Sequence, residues 1–493
     1  MMGGPEAVQP SVGMHVREWS VERVPSGLSP KRALDALRGA LAPQDALFLL
    51  MLLTLLRHEA DAGRADEWGD RRGAAEAWDR IRQAPWGWDG YEVVSEIQRG
   101  LRHWEHQNFR LDGPPGLHGV RGRELAPLID CVAAAHDTAK LFEACLELTQ
   151  TKAKGGEYYT PQAITRLLIG LLEPRTGESV YDPVCGAGGF LLQAHQYVEA
   201  TGGRTRELGL YGQDASRVAM QAAAMNLAVH DAYARLDGPS STLTDDRFRD
   251  KAFDVVVANP PFNQSGWDEG GYAHYDHRWA YGMPPAGNAN FAWAQHVASK
   301  MSPAGRGALL LPTGAATTAK PAERGIRARM VEADLLSCVV ELPAGLVPHV
   351  RNPVSLWLFS RAKKPHQTWG HADRSGQILL IDARETAATI GRGRRTLPDE
   401  ARERITATYA AWRGAPHGTR YEDEPGWCRS VSVTEIASKE HDVLPSHHVG
   451  APPAELVSAD AEEEAARLTH ELLELFATSR RLDDELRELL REW

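Results

Sequence analysis

The sequence predicts an α/β protein: a doubly wound parallel sheet, preceded by an all-helical N-terminal domain and followed by a C-terminal helix suited to a partner. Three observations carry this. Apolar stripes at helical spacing run from Ser29 to about Thr151, as in Leu34, Leu37, Leu41 and later Ile129, Val132, Leu141, Leu146. From Gly155 onward, short β-rich runs alternate with helical stretches, the pattern of a parallel sheet wound on both faces. Near the C-terminus, Leu468, Leu472, Leu475, Ser479, Leu482, Leu486, Leu489 and Trp493 repeat at alternating spacings of four and three, a heptad seam broken only by Ser479.

The expected organisation is an arm over residues 1–28, a helical domain over 29–151, the α/β domain over 152–384, a polar connecting region over 385–453 and the heptad helix over 454–493. Ser29-Pro30 forms an N-cap and N1 pair that opens the first helix. The apolar run Ala46–Leu56 falls well short of the roughly 20 residues that cross a bilayer, so it reads as a buried core helix. Trp86 and Trp88, beside Pro85 and Gly87, mark a connection. In the α/β part, strands are expected at Ser179–Tyr181, Leu208–Gly212, Phe253–Ala258, Ala308–Leu311, Ser337–Leu342 and Val354–Phe359. Helices are expected at about Gly189–Ala200 and Ser216–Val229. The unbroken apolar character of Phe253–Ala258 predicts burial on both faces. The polar region carries an arginine cluster, Arg392, Arg394 and Arg395.

Composition narrows the function. Lys plus Arg is 55 against 66 Asp plus Glu, a formal charge of −11, which excludes a protein that grips DNA alone by bulk electrostatics. The five cysteines are widely separated and form no CxxC pair, so neither a zinc site nor a disulfide framework is indicated. Met1–Pro10 lacks the cationic and apolar stretches of a secretory leader, and a cytoplasmic, reducing setting is expected.

Two constellations carry chemistry. Asp182-Pro183-Val184-Cys185-Gly186-Ala187-Gly188-Gly189-Phe190 follows a strand and opens a helix, so its glycines let a ligand approach the backbone and free amides. A dinucleotide loop would cradle a pyrophosphate. Here Asp182 stands at the strand end, which suits a cationic ligand such as S-adenosylmethionine, whose charges are an ammonium and a sulfonium. Asp214, at the end of the next strand, is placed to accept from two ribose hydroxyls. A purely structural strand-to-helix turn is the alternative for each glycine turn taken alone. The second constellation, Asn259-Pro260-Pro261-Phe262, follows the most buried strand. Successive prolines make a stiff corner with few donors, able to aim the Asn259 amide and the Pro260 carbonyl at one exocyclic amine. Phe262 can stack on a flat ring, and a flipped adenine meets both needs. Cys185 and His195 read as packing residues, and Arg324, Arg327 and Arg329 as a solvated helix face.

The order Gly156-Glu157-Tyr158-Tyr159-Thr160-Pro161, the Asp182–Phe190 loop, Gly212-Gln213-Asp214 and then Asn259–Phe262 resembles the N6-adenine DNA methyltransferases. More narrowly it is similar to the modification subunit of type I restriction–modification systems, over about residues 30–365 and the tail. Asn290-Phe291-Ala292-Trp293, Leu311-Pro312-Thr313-Gly314, Leu342-Pro343-Ala344-Gly345-Leu346 and Leu444-Pro445-Ser446 share that resemblance. The resemblance implies a Rossmann-like methyltransferase sheet using S-adenosyl-L-methionine. Glu157, Tyr158, Tyr159, Thr160, Pro161 and Gln162 would line the cofactor site. Asp182, Gly186, Ala187, Gly188 and Gly189 would meet the methionine end, and Asp214 the ribose. Asn259, Pro260, Pro261 and Phe262 would hold the base. Members of that family often carry Gly-Asp-Thr/Ser-Leu before the Asn-Pro-Pro-Phe strand; here Ser240-Ser241-Thr242-Leu243 stands there, so Ser241, or Asp237, takes the acid's place beside the cofactor adenine. The implied partners are double-stranded DNA, a specificity subunit gripped through the terminal helix, a second modification subunit and a restriction subunit, with no membrane. A protein-glutamine methyltransferase, which also uses an Asn-Pro-Pro corner, and a non-catalytic scaffold of a defence complex remain the alternatives.

Overall fold

The computed structural model describes residues 29–65, 71–83, 88–102, 112–114, 116–117, 120–152, 160–268, 271, 276–347, 353–366, 369–390, 394–451 and 459–491. The expected arm, Trp86 and Trp493 lie outside these residues. The chain divides into two compact units, Met1–Leu148 and Thr149–Trp493.

In the first unit the described residues form helices: α1 Pro30–Asp35, α2 Pro43–Ala65, α3 Arg72–Gln83, α4 Gly90–Gly100, α5 Gly122–Ala133 and α6 Thr138–Lys152, the last running across the boundary. Ser29 caps α1 by accepting from the Arg32 amide. The apolar run Ala46–Leu56 lies in α2, where Leu49, Leu50, Leu53, Leu55 and Leu56 are fully buried. At Gly100 a Cβ would stand 2.7 Å from Ala77 and 2.8 Å from Leu56, so glycine lets α4 close on both neighbours. No helix among the described residues is long and apolar enough to cross a membrane.

The second unit is built on one sheet. Its strands are β1 Ser179–Asp182, β2 Gly209–Gln213, β3 Arg235–Asp237, β4 Phe253–Ala258, β5 Met301–Pro312, β6 Leu336–Glu341, β7 Val354–Ser360 and β8 Gln377–Asp382; β9 Ala388–Ile390 and β10 Arg394–Thr396 form a separate hairpin; and β11 Cys428–Ser432 returns to the sheet. The strand order is β11-β8-β6-β7-β5-β4-β1-β2-β3. The helices are α7 Gln162–Leu172, α8 Gly189–Ala200, α9 Arg217–Ala228, α10 Asn290–Lys300, α11 Pro321–Glu332, α12 Asp399–Arg413, α13 Val433–Ser438 and α14 Ala459–Arg491. Phe291, Val297, Ile326 and Met330 of α10 and α11 share one core with Val256, Leu309, Val339 and Trp357. Strand residues of opposite parity, such as Val255 and Leu310, are equally buried and face the other side, so both faces are covered.

The sheet departs from the all-parallel expectation in two places. β7 runs antiparallel between β5 and β6, and β11 runs antiparallel to β8 at the edge. The reason is connection length. The Leu342–Leu346 turn leads from β6 toward β7, and an antiparallel neighbour needs no crossover helix, the role α11 plays between β5 and β6. Burial is complete along β7, as its apolar run predicts, but a buried run does not encode direction.

The polar segment 385–453 also contributes to this unit rather than only connecting. β11 extends the sheet, and α12 packs on α7. Arg413 of α12 is buried and paired with Glu173, the left-handed C-cap of α7. Arg306 beside it clasps Glu178 at 2.8 and 2.9 Å and donates to the Leu172 and Glu173 carbonyls.

In the arginine run on α11, Arg324 and Arg329 are exposed as expected, and Arg327 is not. Arg327 is only 2% exposed and donates to the carbonyls of His441, Ala315, Thr318 and Glu440. Arg324 pairs with Glu440, and Arg329 donates to the Tyr281 carbonyl. A planar guanidinium can satisfy several carbonyls where the chain turns without regular pairing, at Glu440 and His441, which both have positive φ. Arg327→Met is expected to destabilise the protein by about 3 kcal/mol, because it strands buried carbonyls. A lowered urea midpoint checks this, and Arg327→Lys should recover only part of the loss.

Candidate functional site

β1 lies where the strand order reverses, with β2 on one side and β4 on the other, both parallel to it. Ligands of open α/β sheets bind beyond the carboxyl ends at such a point. The glycine loop begins there. Gly186 and Gly188 have φ of 52° and 77°, a region side chains resist. Gly188 also N-caps α8, and a Cβ on it would press Ala223 at 3.3 Å. Gly189, the first residue of α8, faces Thr165 of α7.

Two carboxylates meet this loop. Asp182 is 1% exposed, and its Oδ1 accepts from the Val184 amide at 3.0 Å. Burial pushes its pKa well above the usual carboxylate range; the Val184 amide opposes the shift and neighbouring Asp214 adds to it. Asp214 is also buried; its Oδ2 accepts from the Gly186 amide at 2.9 Å and its Oδ1 from the Ser216 amide at 2.8 Å. The residue expected to meet a ribose therefore also braces the glycine loop and the start of α9.

Cys185 sits between these acids, buried, with Sγ 3.9 Å from Met220 Sδ. Burial first, then Asp182 and Asp214, push its thiol up, so it stays protonated and packs rather than attacks. Gly212 of β2 makes room for it: a Cβ there would lie 3.1 Å from Sγ.

The loop Ser240–Leu243 crosses beside the end of β2. The half-buried Ser241 turns the chain, its carbonyl accepting from the Thr244 and Asp245 amides. Thr242 Oγ1 donates to the Pro183 carbonyl, hooking this loop onto the glycine loop. Asp237 ends β3, opposite Gln213 in register. Both candidates for the missing acid thus stand at the carboxyl edge of the β2 side.

The proline corner leaves the carboxyl end of β4, the strand next to β1. Asn259 is half-buried, and its Nδ2 donates to Thr160 Oγ1 at 3.0 Å. Thr160, Pro161 and Gln162 lead into α7, with Pro161 at its N-cap. Glu157, Tyr158 and Tyr159 lie outside the described residues. Pro260 is buried, Pro261 exposed and Phe262 half-buried. The corner then bends at Asn263, whose φ is 54°. Asn290, the first residue of α10, grips that bend: its Oδ1 accepts from the Asn263 amide and its Nδ2 donates to Asn263 Oδ1. The Asn-Phe-Ala-Trp stretch is therefore a latch on the corner.

Sequence reasoning missed several supporting residues. Gln213, fully buried, accepts from the Arg247 amide and donates to Ser240 and Asp245. Asn226 of α9 donates to the Ala187 carbonyl at 2.8 Å, while its own buried Oδ1 has no partner. Arg278, buried, donates to the Thr242 and Leu243 carbonyls. The one sequence signal was an amide inside the apolar helix around Asn226.

The family described as N-6 DNA Methylase matches residues 134–455. The methylase subunit of the type I restriction enzyme HindI from Haemophilus influenzae is 35% identical over 338 residues, 68% of this chain and 73% of that protein. The MjaIX methylase subunit of Methanocaldococcus jannaschii is 32% identical over 352 residues, 70% of this chain and 61% of that one. The crystal structure of a type I methyltransferase subunit from Streptococcus thermophilus shares the fold, with a TM-score of 0.67 at 19% identity over 85% of this chain and 98% of that one. With a sheet of this order, a glycine loop at its switch point and a proline corner on the adjoining strand, the chain belongs to the N-6 DNA methylase family, among the methylase subunits of type I restriction enzymes.

Proposed function

We infer that this chain methylates adenine N6 in double-stranded DNA as the modification subunit of a type I restriction–modification complex, with S-adenosylmethionine as methyl donor. One observation supports this most. Asn259 leaves β4 beside the glycine loop of β1, with its amide tied back to Thr160, so the base corner and the cofactor segments form one cluster. Membership of the N-6 DNA methylases favours this reading over a protein-glutamine methyltransferase.

The residues present fit S-adenosylmethionine. Among the described residues no cation pairs with the buried carboxylate of Asp182, and the positive-φ glycines turn the loop so that the N-terminus of α8 starts beside it. When bound, S-adenosylmethionine supplies a methyl group already activated on a sulfonium. Asp182 would hold the ammonium, and the amides of Ala187 and Gly189 the methionine end; the Gly188 amide, also expected there, instead donates to the Cys185 carbonyl at 2.7 Å. Asp214 would meet the ribose, and Ser241 or Asp237 the adenine. Glu157, Tyr158, Tyr159, Thr160, Pro161 and Gln162 would close the site from the side of α7.

The corner does the work on the base. With Nδ2 engaged by Thr160, Asn259 keeps Oδ1 to accept one hydrogen of the exocyclic amine, and the Pro260 carbonyl accepts the other. Both contacts push the nitrogen lone pair out of conjugation and toward the methyl carbon. Pro261 stiffens the corner, and Phe262 stacks on the base, offsetting part of the few kcal/mol that flipping costs. Positioning supplies most of the rate.

DNA reading is assigned to a separate specificity subunit. Among the described side chains of α14, Leu468, Leu472, Leu475 and Leu482 are 51–61% exposed, an apolar seam with nothing on it. The side chains of Leu486 and Leu489 lie outside the described set. Two modification chains around one specificity chain, joined by a restriction subunit, complete the proposed assembly in the cytoplasm.

Four outcomes test this reading. Asn259→Ala should cut methyl transfer to DNA by at least about 100-fold, with calorimetric affinity for S-adenosylmethionine near wild type. Thr160→Val should lower kcat by about ten-fold and Thr160→Ser should restore it; radiolabelled transfer to DNA rather than to protein is the readout. Wild-type turnover by Asn259→Ala would remove the role. Because burial raises the Asp182 pKa and a bound ammonium favours the ionised form, cofactor affinity should rise as pH climbs through that pKa. Asp182→Asn should flatten the pH profile and weaken binding, yet raise the thermal midpoint of the free protein at neutral pH. The sign follows from linkage: a carboxyl with a raised folded pKa contributes less stability as pH rises. Finally, deleting residues 455–493 should end co-purification with the specificity subunit while leaving cofactor binding intact; unchanged assembly would count against the seam.

A further inference from the structure

Ser241 is pinned on both sides while its own hydroxyl is left open. On one side the Ser240 amide donates to the Asp214 carbonyl at 3.0 Å, and Gln213 donates to the Ser240 carbonyl at 3.3 Å. On the other side Thr242 Oγ1 donates to the Pro183 carbonyl, and the carbonyls of Thr242 and Leu243 accept from Arg278 at 2.9 and 2.6 Å. Ser241 is half-buried, and among the described residues its hydroxyl has no partner. A backbone fixed this closely around one free hydroxyl aims that hydroxyl instead of using it to hold the chain.

Arg278 is the part of this frame that comes from outside the loop. It lies in the stretch between the proline corner and α10, it is 5% exposed, and its guanidinium is engaged at every nitrogen. Nε and Nη2 clasp Asp276, Nη1 reaches the Thr242 carbonyl and His296 Nδ1 at 2.9 Å each, and Nη2 also takes the Leu243 carbonyl. Asp276 supplies the countercharge that a buried guanidinium needs. The remaining donors are directed at the Ser241 loop and at α10. His296 can accept at Nδ1 only as the neutral ring with its proton on Nε2. Burial first, then Arg278 and Lys300, hold its pKa well below the usual histidine range, so the ring stays neutral. His296 belongs to α10, the helix whose Asn290 grips the bend after Phe262 and whose Gln295 meets the Tyr281 amide and the Gly282 carbonyl. One helix therefore holds the base corner directly and, through Arg278, the loop that carries Ser241.

We propose that Arg278 is a positioning residue for the cofactor: by holding the Thr242 and Leu243 carbonyls, it aims the Ser241 hydroxyl at the polar edge of the adenine of S-adenosylmethionine. The proposal rests on the methyltransferase reading and assigns the adenine contact to Ser241 over Asp237. It requires the planar fork of arginine, because the single ammonium of a lysine cannot span two successive carbonyls and an imidazole.

The test uses the full chain assembled with its specificity subunit and a duplex that the wild-type assembly methylates. Calorimetric affinity for S-adenosylmethionine, and KM and kcat for methyl transfer, are measured for the wild type, Arg278→Lys, Ser241→Ala and the double variant. Lysine keeps a cation beside Asp276, so a cooperative melting transition without cofactor should persist. Arg278→Lys should weaken cofactor affinity and raise its KM by about ten-fold, with kcat at saturation changed by less than about two-fold. Ser241→Ala should weaken affinity by a similar factor, and the double variant should be no weaker than the weaker single variant, because both changes remove the same contact. Each single variant should also lose preference for S-adenosylhomocysteine over its hypoxanthine counterpart, a readout that a merely structural arginine would not move. Unchanged affinity in either single variant, an unchanged purine preference, or losses that add in the double variant would overturn the proposal. So would a lysine variant with no melting transition, because it would mark Arg278 as serving the fold alone. Failure of the wild-type assembly to methylate any DNA, with cofactor still bound, would instead sink the underlying reading.

Discussion

Burying a carboxylate is costly unless something charged or hydrogen-bonded meets it, and the centre of this protein holds two side by side. Asp182 and Asp214 end neighbouring parallel strands, nearly out of water, and each raises the cost of the other's charge. The chain meets that cost with backbone amides: Val184 for Asp182, and Gly186 and Ser216 for Asp214. The Gly186 amide comes from a loop that turns through positive φ at Gly186 and Gly188. The loop geometry and the helix start at Gly189 go with keeping two acids in one small volume.

The sheet turns that local arrangement into a site. Parallel strands bring their carboxyl ends to one edge, so Asp182 of β1, Asp214 after β2 and Asn259 after β4 converge though far apart in sequence. Hydrogen bonds then tie the loops together. Thr242 binds the Pro183 carbonyl, Thr160 takes the Asn259 amide, Arg278 holds the carbonyls after Ser241, and Asn290 latches the bend after Phe262. Apart from the Asn290 latch, each tie joins segments at least 35 residues apart, so the loops after β1, β2 and β4 share supports.

How much of this was legible depended on whether a residue spoke for itself or through a distant partner. β1, β2 and β4 were legible because their apolar runs stop at glycine, aspartate or proline, and Ser216 announced α9 as its cap. The place of the proline corner was legible because Asn259-Pro260-Pro261 must end the strand before it. β3 was too short, β11 too polar, and the direction of β7 is set by its connections rather than its composition. Arg327 read as solvated because nothing in its helix shows that carbonyls at 440 and 441 turn inward to meet it. Gln213, Asn226 and Arg278 were hidden for the same reason: a buried polar side chain is explained by the backbone it satisfies, and that backbone comes from elsewhere in the fold.

The same bookkeeping of partners bears on how an acidic protein handles DNA. Arg278, Arg306, Arg327 and Arg413 are buried and committed to carboxylates and carbonyls, so they hold the fold and lend nothing to the surface. Buried acids such as Glu173, Asp182, Asp214 and Glu341 offset them, so the acidic excess remains on the surface that a phosphate backbone would meet. In the proposed assembly, binding is shared with a partner docked on the exposed leucines of α14. An enzyme built this way would bind nonspecific DNA weakly on its own and act where another subunit delivers the base, which suits a catalyst whose sequence choice is made by a different chain.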